Sequence, residues 1–308
     1  MRILVTGGAG FVGSVLCPVL LSDGHEVTVL DALHHGGRGL LACFHDPRFR
    51  FVRGDVRDRD LVRTLARDVD AVVHLAAIVG FPACRKYPEL ARDINVEGTR
   101  SVVEALSPEQ ALIYASSGSN YGAVAASCTE ESPLNPVSLY AVTKAEAEVL
   151  CLAHPRATAL RFATGFGVSP RMRMDLLVND FVRQAVVEKT LIVYERHFRR
   201  TFIAVRDMMR AIVFALERID RMVGQPFNVG HESMNLTKED IARKVRERVP
   251  FFLHFADVGK DEDCRDYEVS YARIRGVGFA TEISIDQGID ELIRAMAVLG
   301  DDGIANMG

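Results

Sequence analysis

Tyr140 and Lys144 stand four residues apart in a segment with helical apolar spacing, so their side chains share one helix face. A phenol beside an ammonium is an acid–base pair. The cation favours the phenolate and draws a tyrosine pKa of about 10 toward neutrality. Ser116, Ser117 and Ser119 follow the apolar run Ala111–Ala115, a strand by its composition, and therefore sit at its carboxyl end. A hydroxyl there can share a substrate proton with the tyrosine.

A second constellation lies at the start of the chain. Thr-Gly-Gly-Ala-Gly-Phe-Val-Gly, from Thr6 to Gly13, follows the apolar residues Ile3, Leu4 and Val5. A helical pattern follows it (Val15, Leu16, Val19, Leu20, Leu21). A strand, a glycine turn and a helix N-terminus point backbone N–H groups and the positive end of a helix dipole at a pyrophosphate. Gly7 permits the tight turn, Gly10 lets the backbone approach the phosphates, and Gly13 lets helix and strand pack. The next apolar run ends at Asp31, 18 residues past Gly13, where a carboxylate binds both ribose hydroxyls of an adenosine and repels a 2′-phosphate. That choice favours NAD over NADP.

The elements that hold these groups alternate. Apolar strand runs occur at Ile3–Thr6, Val27–Leu30, Phe49–Arg53, Ala71–Leu75, Ala111–Ala115, Thr158–Phe162 and Phe227–Val229. Helical segments between them include Leu61–Ala66, Pro88–Ala105, Leu139–Ala153 and Val205–Arg218. Continuous apolar strands separated by helices predict an α/β fold, a doubly wound parallel (Rossmann) sheet. A smaller mixed α/β lobe is expected from 166–202 together with 232–308. Its elements are a helix from Leu176 to Val187, a strand at Leu191–Tyr194, the basic cluster Arg196, His197, Arg199 and Arg200, and a last helix from Asp286 to Leu299. The sheet domain takes 1–165 and 203–231.

The chain has 308 residues, 48% of them apolar and 25% charged, with a formal net charge of −4. That length accommodates one large domain with an appendage, and that charge gives no reason to expect nucleic acid or an anionic membrane. The stretch Ala71–Cys84 is too short to span a bilayer and contains His74, Gly80 and Pro82. Six cysteines are scattered without metal spacing, as expected of reduced thiols in a soluble, cytoplasmic protein. No metal site is expected. His74 reads as a packed core residue, and His34 and His35 as a solvated loop with contact to adenosine as the alternative.

Seven motifs stand in register over the first 150 residues: Thr6–Gly13, Asp31, Gly54-Asp55-Val56, His74-Leu75-Ala76-Ala77, Asn95-Val96-Glu97-Gly98-Thr99, Ser116–Gly122 and Tyr140–Lys144. The chain resembles the extended short-chain dehydrogenase/reductases, and more narrowly the NAD-dependent nucleotide-sugar epimerases and dehydratases of the UDP-glucose 4-epimerase kind. Phe227-Asn228-Val229-Gly230 and the segment from Arg200 to Asp207 extend the likeness to about residue 230.

The resemblance implies residue roles. Gly7, Gly10, Phe11, Val12 and Gly13 would hold the dinucleotide phosphates, Asp55 and Val56 the adenine, and Leu75, Ala76 and Ala77 the pyrophosphate and ribose side. Asn95 would bridge the active-site strand and helix through water. Ser117 would be the catalytic Ser/Thr, Tyr140 the base and Lys144 its partner on the nicotinamide ribose. Ser119, Asn179, Arg200 and Arg265 would contact the substrate, the arginines its diphosphate.

One departure narrows the reaction. The family's 4,6-dehydratases carry Asp and Glu after the catalytic Thr, as the acid and base of water elimination; here Gly118 and Ser119 stand there. A 4-epimerase working through a transient 4-keto sugar needs neither carboxylate. The alternatives are a 4-ketoreductase or dehydratase acting on a nucleotide-activated sugar, and, from another class, a non-catalytic dinucleotide-sensing regulator. The resemblance also implies a homodimer, paired through the helices after Asn95 and around Tyr140, where Val102, Val103, Leu106, Val142, Ala145 and Val149 supply apolar positions.

Overall fold

In the computed structural model, which describes residues 1–122, 127–256 and 267–299, seven parallel strands form the central sheet. They are β1 (Arg2–Thr6), β2 (Glu26–Asp31), β3 (Phe49–Arg53), β4 (Ala71–His74), β5 (Ala111–Ser117), β6 (Ala157–Phe162) and β7 (Pro226–Val229). Their spatial order is β7-β6-β5-β4-β1-β2-β3. The chain winds outward from β1 through β2 and β3, then returns to β4 on the other side of β1. The crevice this reversal opens at the carboxyl ends of β1 and β4 is where doubly wound sheets bind ligands.

Strand residues alternate between two cores because successive side chains point to opposite faces. Ile3, Val5, Val27, Val29, Val73 and Ile113 pack on one face with Leu16, Leu20, Ala211 and Ile212. Leu4, Leu30, Val72 and Leu112 pack on the other with Val62, Val102, Ala147 and Cys151. Both faces of β4 and β6 are buried throughout, which explains why both are apolar apart from His74, Thr158 and Arg161. Each such Leu, Ile or Val contributes about 1.5–3 kcal/mol of burial.

Residues 88–105 form one helical path in three pieces. Pro88–Arg92 and Thr99–Ala105 are α-helical, and Asp93–Gly98 between them has wider π-type turns. The sequence pattern carries no sign of this widening, and it falls where Asn95 sits.

A separate apolar cluster gathers Phe166, Val178, Phe181, Leu191, Phe202, Ile241, Val245, Ile289 and Leu292. Around it lie the helices Leu177–Arg183, Lys238–Arg246 and Ile285–Leu299. The strand Arg199–Ala204 runs parallel to Thr164–Phe166 and antiparallel to Asn235–Thr237, while Thr190–Tyr194 pairs with Phe252–Ala256. The basic cluster of the sequence is thus partly a strand: apolar residues at Phe202 and Ile203 pull Arg199 and Arg200 into the ladder, and Arg200 is buried. Asp207, fully buried in the first turn of the helix Val205–Glu217, accepts from the N–H groups of Glu282 and Ile283 and ties this cluster to the main sheet's flank.

Candidate active site

A cleft of about 280 Å³ opens over the carboxyl ends of the strands. Its first wall is the glycine turn: Gly7, Gly10, Phe11, Val12 and Gly13 all line it. Gly7 has φ +72°, and a Cβ there would lie 2.7 Å from the backbone nitrogen of Ala76 on the neighbouring strand's exit. At Gly13 a Cβ would lie 2.5 Å from Gly8 Cα and 2.7 Å from Gly7 O. Neither neighbour can move, because both are backbone. The helix Gly13–Ser22 begins with Ser14 N–H donating to Gly10 O at 3.0 Å; Ala9 and Gly10 N–H are taken by Asp31 and Gly7 O, and Phe11, Val12 and Gly13, whose N–H groups precede the first helical bond, line the cleft. The arrangement fits a dinucleotide pyrophosphate: N–H groups of the first helical turn are left for a ligand, side chains are absent where one would clash, and a helix N-terminus lies behind.

Asp31 closes the next wall. Its carboxylate accepts from Ala9 N–H at 2.9 Å and Leu33 N–H at 2.7 Å, locking the glycine turn to the end of β2. Burial pushes its pKa above the ordinary carboxylate range, and the two backbone bonds oppose that rise. Asp55 lies beyond, held as the anion by the Arg57 guanidinium, whose Nη2 is 2.8 Å away. Val56, Leu75, Ala76 and Ala77 complete this side. His34 and His35 are exposed, as expected of a solvated loop, and also line the rim. Partial desolvation, then Arg171 and Arg173, pull His35 down to about 4. Both arginines belong to the loop after Gly167 and line the cleft too; Ser169 fastens that loop to the turn, donating to Phe11 O at 2.7 Å.

The reacting groups face this wall. Ser116 and Ser117 end β5; Ser117 caps the short helix Gly118–Tyr121 by accepting from Ser119 N–H at 3.1 Å. Tyr140 and Lys144 come from the helix Leu139–Leu152, which starts at Ser138, whose side chain accepts from Ala141 N–H. This helix buries Ala141, Lys144, Glu148 and Cys151 at three- and four-residue intervals. The cleft contains Ser116, Ser117, Ser119, Tyr140 and Lys144 together. Lys144 is 3% exposed, and burial lowers its pKa to about 8. Its Nζ lies 4.2 Å from the centre of the Tyr114 ring, a partial substitute for water.

Beneath the serines lies a charged network that sequence reasoning missed. Ser116 Oγ donates to Glu148 Oε2 at 2.5 Å, and Arg161 on β6 donates to Glu148 Oε1 from Nη2 at 2.6 Å. Arg161 Nη1 also donates to Tyr121 Oη at 2.9 Å, and Tyr121 donates to Asn228 Oδ1 at 2.7 Å. Both charges are buried, and hydrogen bonds to Glu148 hold the guanidinium protonated. Glu148 falls eight residues after Tyr140, on the face that already carries Lys144. That periodicity was the signal available.

Other expected site residues are placed differently. Asn95 is buried off the cleft wall: its Oδ1 accepts from Ile78 N–H at 2.7 Å and its Nδ2 donates to Thr143 Oγ1 at 3.0 Å. It joins the β4 exit to the tyrosine helix directly. Asn179 is spent on the Gly167 loop, accepting from Gly167 N–H at 2.9 Å and donating to Arg173 O at 2.8 Å. Arg200 is 2% exposed and donates to Arg199 O at 3.1 Å. Neither lines the cleft. Arg265 lies outside the described residues. His74 is a core residue, bonded to Thr6 and Thr99.

Comparison with known proteins agrees with this geometry. The model of the NAD dependent epimerase/dehydratase family matches residues 3–230. Over 317 residues the chain is 31% identical to the low-salt glycan biosynthesis protein Agl12 of Haloferax volcanii, covering 98% of this chain and 100% of that one. It is also 31% identical to a dTDP-glucose 4,6-dehydratase of Streptomyces niveus, over 95% of this chain and 92% of the other. Among solved structures, the UDP-glucuronic acid 4-epimerase of Bacillus cereus, crystallised with UDP-glucuronic acid and NAD, superimposes with a TM-score of 0.86 at 25% identity, covering 97% and 100% of the two chains.

Proposed function

This chain belongs to the NAD-dependent epimerase/dehydratase family, and from that membership we propose that it inverts one hydroxyl-bearing carbon, C4, of a nucleotide-diphosphate sugar. One observation carries the reading. Tyr140, Lys144 and Ser117 share a cleft with a dinucleotide-type glycine turn, while Gly118 and Ser119, beside Ser117, bring no carboxylate. The glycine turn, Asp31, Asp55 and Val56 hold NAD, which when bound supplies reversible hydride acceptance at the sugar carbon.

The remaining steps belong to the protein. Tyr140 takes the proton of the C4 hydroxyl as the 4-keto sugar forms and returns it when the opposite face is reduced. Ser117 shares that proton through its hydroxyl, and the Lys144 ammonium stabilises the phenolate that exists before the first step and forms again after the second. Ser119 lies next to Ser117 on the substrate side. Asn179 and Arg200 act at one remove, Asn179 by shaping the arginine loop and Arg200 within the strand below it. Residues 1–165 and 203–231 serve the cofactor, and 166–202 with 232–308 the nucleotide sugar.

A second reading, dehydration, is favoured by the identity to the Streptomyces niveus enzyme. Elimination of water needs an acid and a base beside the ring, and a glycine and a serine supply neither. Product mass separates the two: an epimerase leaves it unchanged, a dehydratase removes one water. A 4-ketoreductase consumes NADH stoichiometrically, whereas the proposed reaction turns over without it. Tyr140→Phe tests the proton role: turnover falls about 10²–10⁴-fold with NAD retained, and undiminished turnover refutes the assignment.

No helix among the described residues is long and apolar enough to cross a membrane. Five buried free thiols among the described residues support a reducing, cytoplasmic setting. A homodimer through the tyrosine helix is supported by Val149 on that helix, 69% exposed, and by Val137 just before its start, 56% exposed. Val102, one of the expected pairing residues, is instead buried within the subunit. Light scattering decides between monomer and dimer.

A further inference from the structure

One polar group in the cleft has no hydrogen-bond partner among the described residues. Tyr267 precedes the short strand Glu268–Val269, is 1% exposed, and packs in the main core beside Tyr271 and Phe162. It nevertheless forms part of the cleft wall with Ser117, Ser119 and Tyr140. A Cβ added at Gly118 would lie 3.5 Å from its Oη and 3.8 Å from its Cε2. The phenol therefore lies against the bare backbone between Ser117 and Ser119. Its hydroxyl has no hydrogen-bond partner among the described residues.

Tyr271 Oη also has no partner among the described residues, but it lies off the cleft; two other buried tyrosines are bonded within the protein. Tyr121 Oη donates to Asn228 and accepts from Arg161, and Tyr114 Oη donates to Lys144 O. A buried hydroxyl left without a partner costs stability that phenylalanine, with the same ring, avoids. Packing thus accounts for the ring of Tyr267 and not for its oxygen.

We propose that Tyr267 determines substrate specificity, its hydroxyl hydrogen-bonding an uncharged sugar hydroxyl on the side of the hexose that faces Gly118. The assignment rests on the nucleotide-sugar reading above. Gly118 and Tyr267 form one device: a Cβ at 118 would already be in van der Waals contact with the phenol, so the longer side chain of an Asp or Glu there would reach into the space beside that oxygen. The pocket beside Ser117 is thereby fitted to recognise a neutral hydroxyl rather than to move its proton.

The test is calorimetric titration of wild type and Tyr267→Phe, both carrying NAD. The ligands are UDP-glucose, UDP-glucuronic acid and dTDP-glucose, each compared with its free nucleoside diphosphate. We expect the sugar that wild type prefers to bind about tenfold more weakly to the variant, with free diphosphate affinity unchanged and a melting temperature equal to or above that of wild type. In turnover KM rises and kcat stays near wild type. Equal sugar affinity in the two proteins overturns the proposal. So does a loss shared by melting temperature and free diphosphate, which would make the hydroxyl structural. Wild type binding no sugar more tightly than its diphosphate overturns the underlying reading, and this proposal with it.

Discussion

Lys144→Met separates the catalytic demand on this residue from its structural cost. Burial lowers the ammonium's pKa from 10.5 to about 8, so holding the charge inside the folded protein costs about 3 kcal/mol at neutral pH. The Tyr114 ring, 4.2 Å from Nζ, returns about 1–2 kcal/mol of that. Methionine fills a similar volume without charge. The variant, stripped of nucleotide, is expected to be about 1–2 kcal/mol more stable than wild type at pH 7 while losing turnover. The sign with pH is fixed. Between pH 8 and 10.5 the unfolded chain keeps the lysine proton that the folded chain has lost, so wild-type stability rises through that window and the variant's advantage shrinks. Urea unfolding of both proteins at intervals from pH 7 to 10.5 measures the difference directly. A variant less stable at pH 7, or a difference that does not change across the window, refutes the account of Lys144 as a desolvated cation.

Two further substitutions probe the frame of the site. Gly13→Ala places a methyl 2.5 Å from Gly8 Cα, where only backbone can yield; NAD affinity is expected to fall at least tenfold, with about 1–3 kcal/mol of stability, read by fluorescence titration and thermal melting. Arg161→Leu leaves Glu148 buried without its partner and is expected to cost about 3–5 kcal/mol, whereas Arg161→Leu with Glu148→Leu recovers most of that loss. Equal destabilisation of the single and double variants in denaturant would show that the network's value lies in something other than charge pairing.

The sheet was readable because parallel strands covered on both faces must be apolar at consecutive positions, and Ala71–His74 and Ala157–Phe162 are buried along their whole length. The glycine turn was readable for a related reason: Gly7 and Gly13 are positions where any side chain meets backbone. Pairs made by topology left less trace. Arg161 and Glu148 are 13 residues apart on a strand and a helix, and nothing local marks either as buried. Asn179 and Arg200 have side-chain types suited to phosphate, but whether such a group faces a ligand or a loop carbonyl depends on how the chain around Gly167 turns. The π-type segment over Asp93–Gly98 shifts Asn95 by a fraction of a turn, and a periodicity count cannot see that shift. Tyr267 follows a stretch where the family likeness is thinnest, and only the folded chain brings it to Gly118.

Tyr140, Lys144 and Glu148 follow one another at four-residue intervals, a base, a cation and an anion on one helix face. If Glu148 paired with Lys144, the ammonium would be held firmly charged. Glu148 is instead committed to Arg161 and Ser116, and Lys144 rests against an aromatic ring with a pKa of about 8. In the proposed reaction a proton must leave a sugar hydroxyl and later return, so neither direction can be strongly downhill. A cation that stabilises the phenolate moderately keeps the two directions balanced. On this argument Arg161 serves the chemistry from a distance, by drawing Glu148 away from the lysine. Releasing Glu148 would raise the Lys144 pKa and shift the alkaline limb of the pH–rate profile upward.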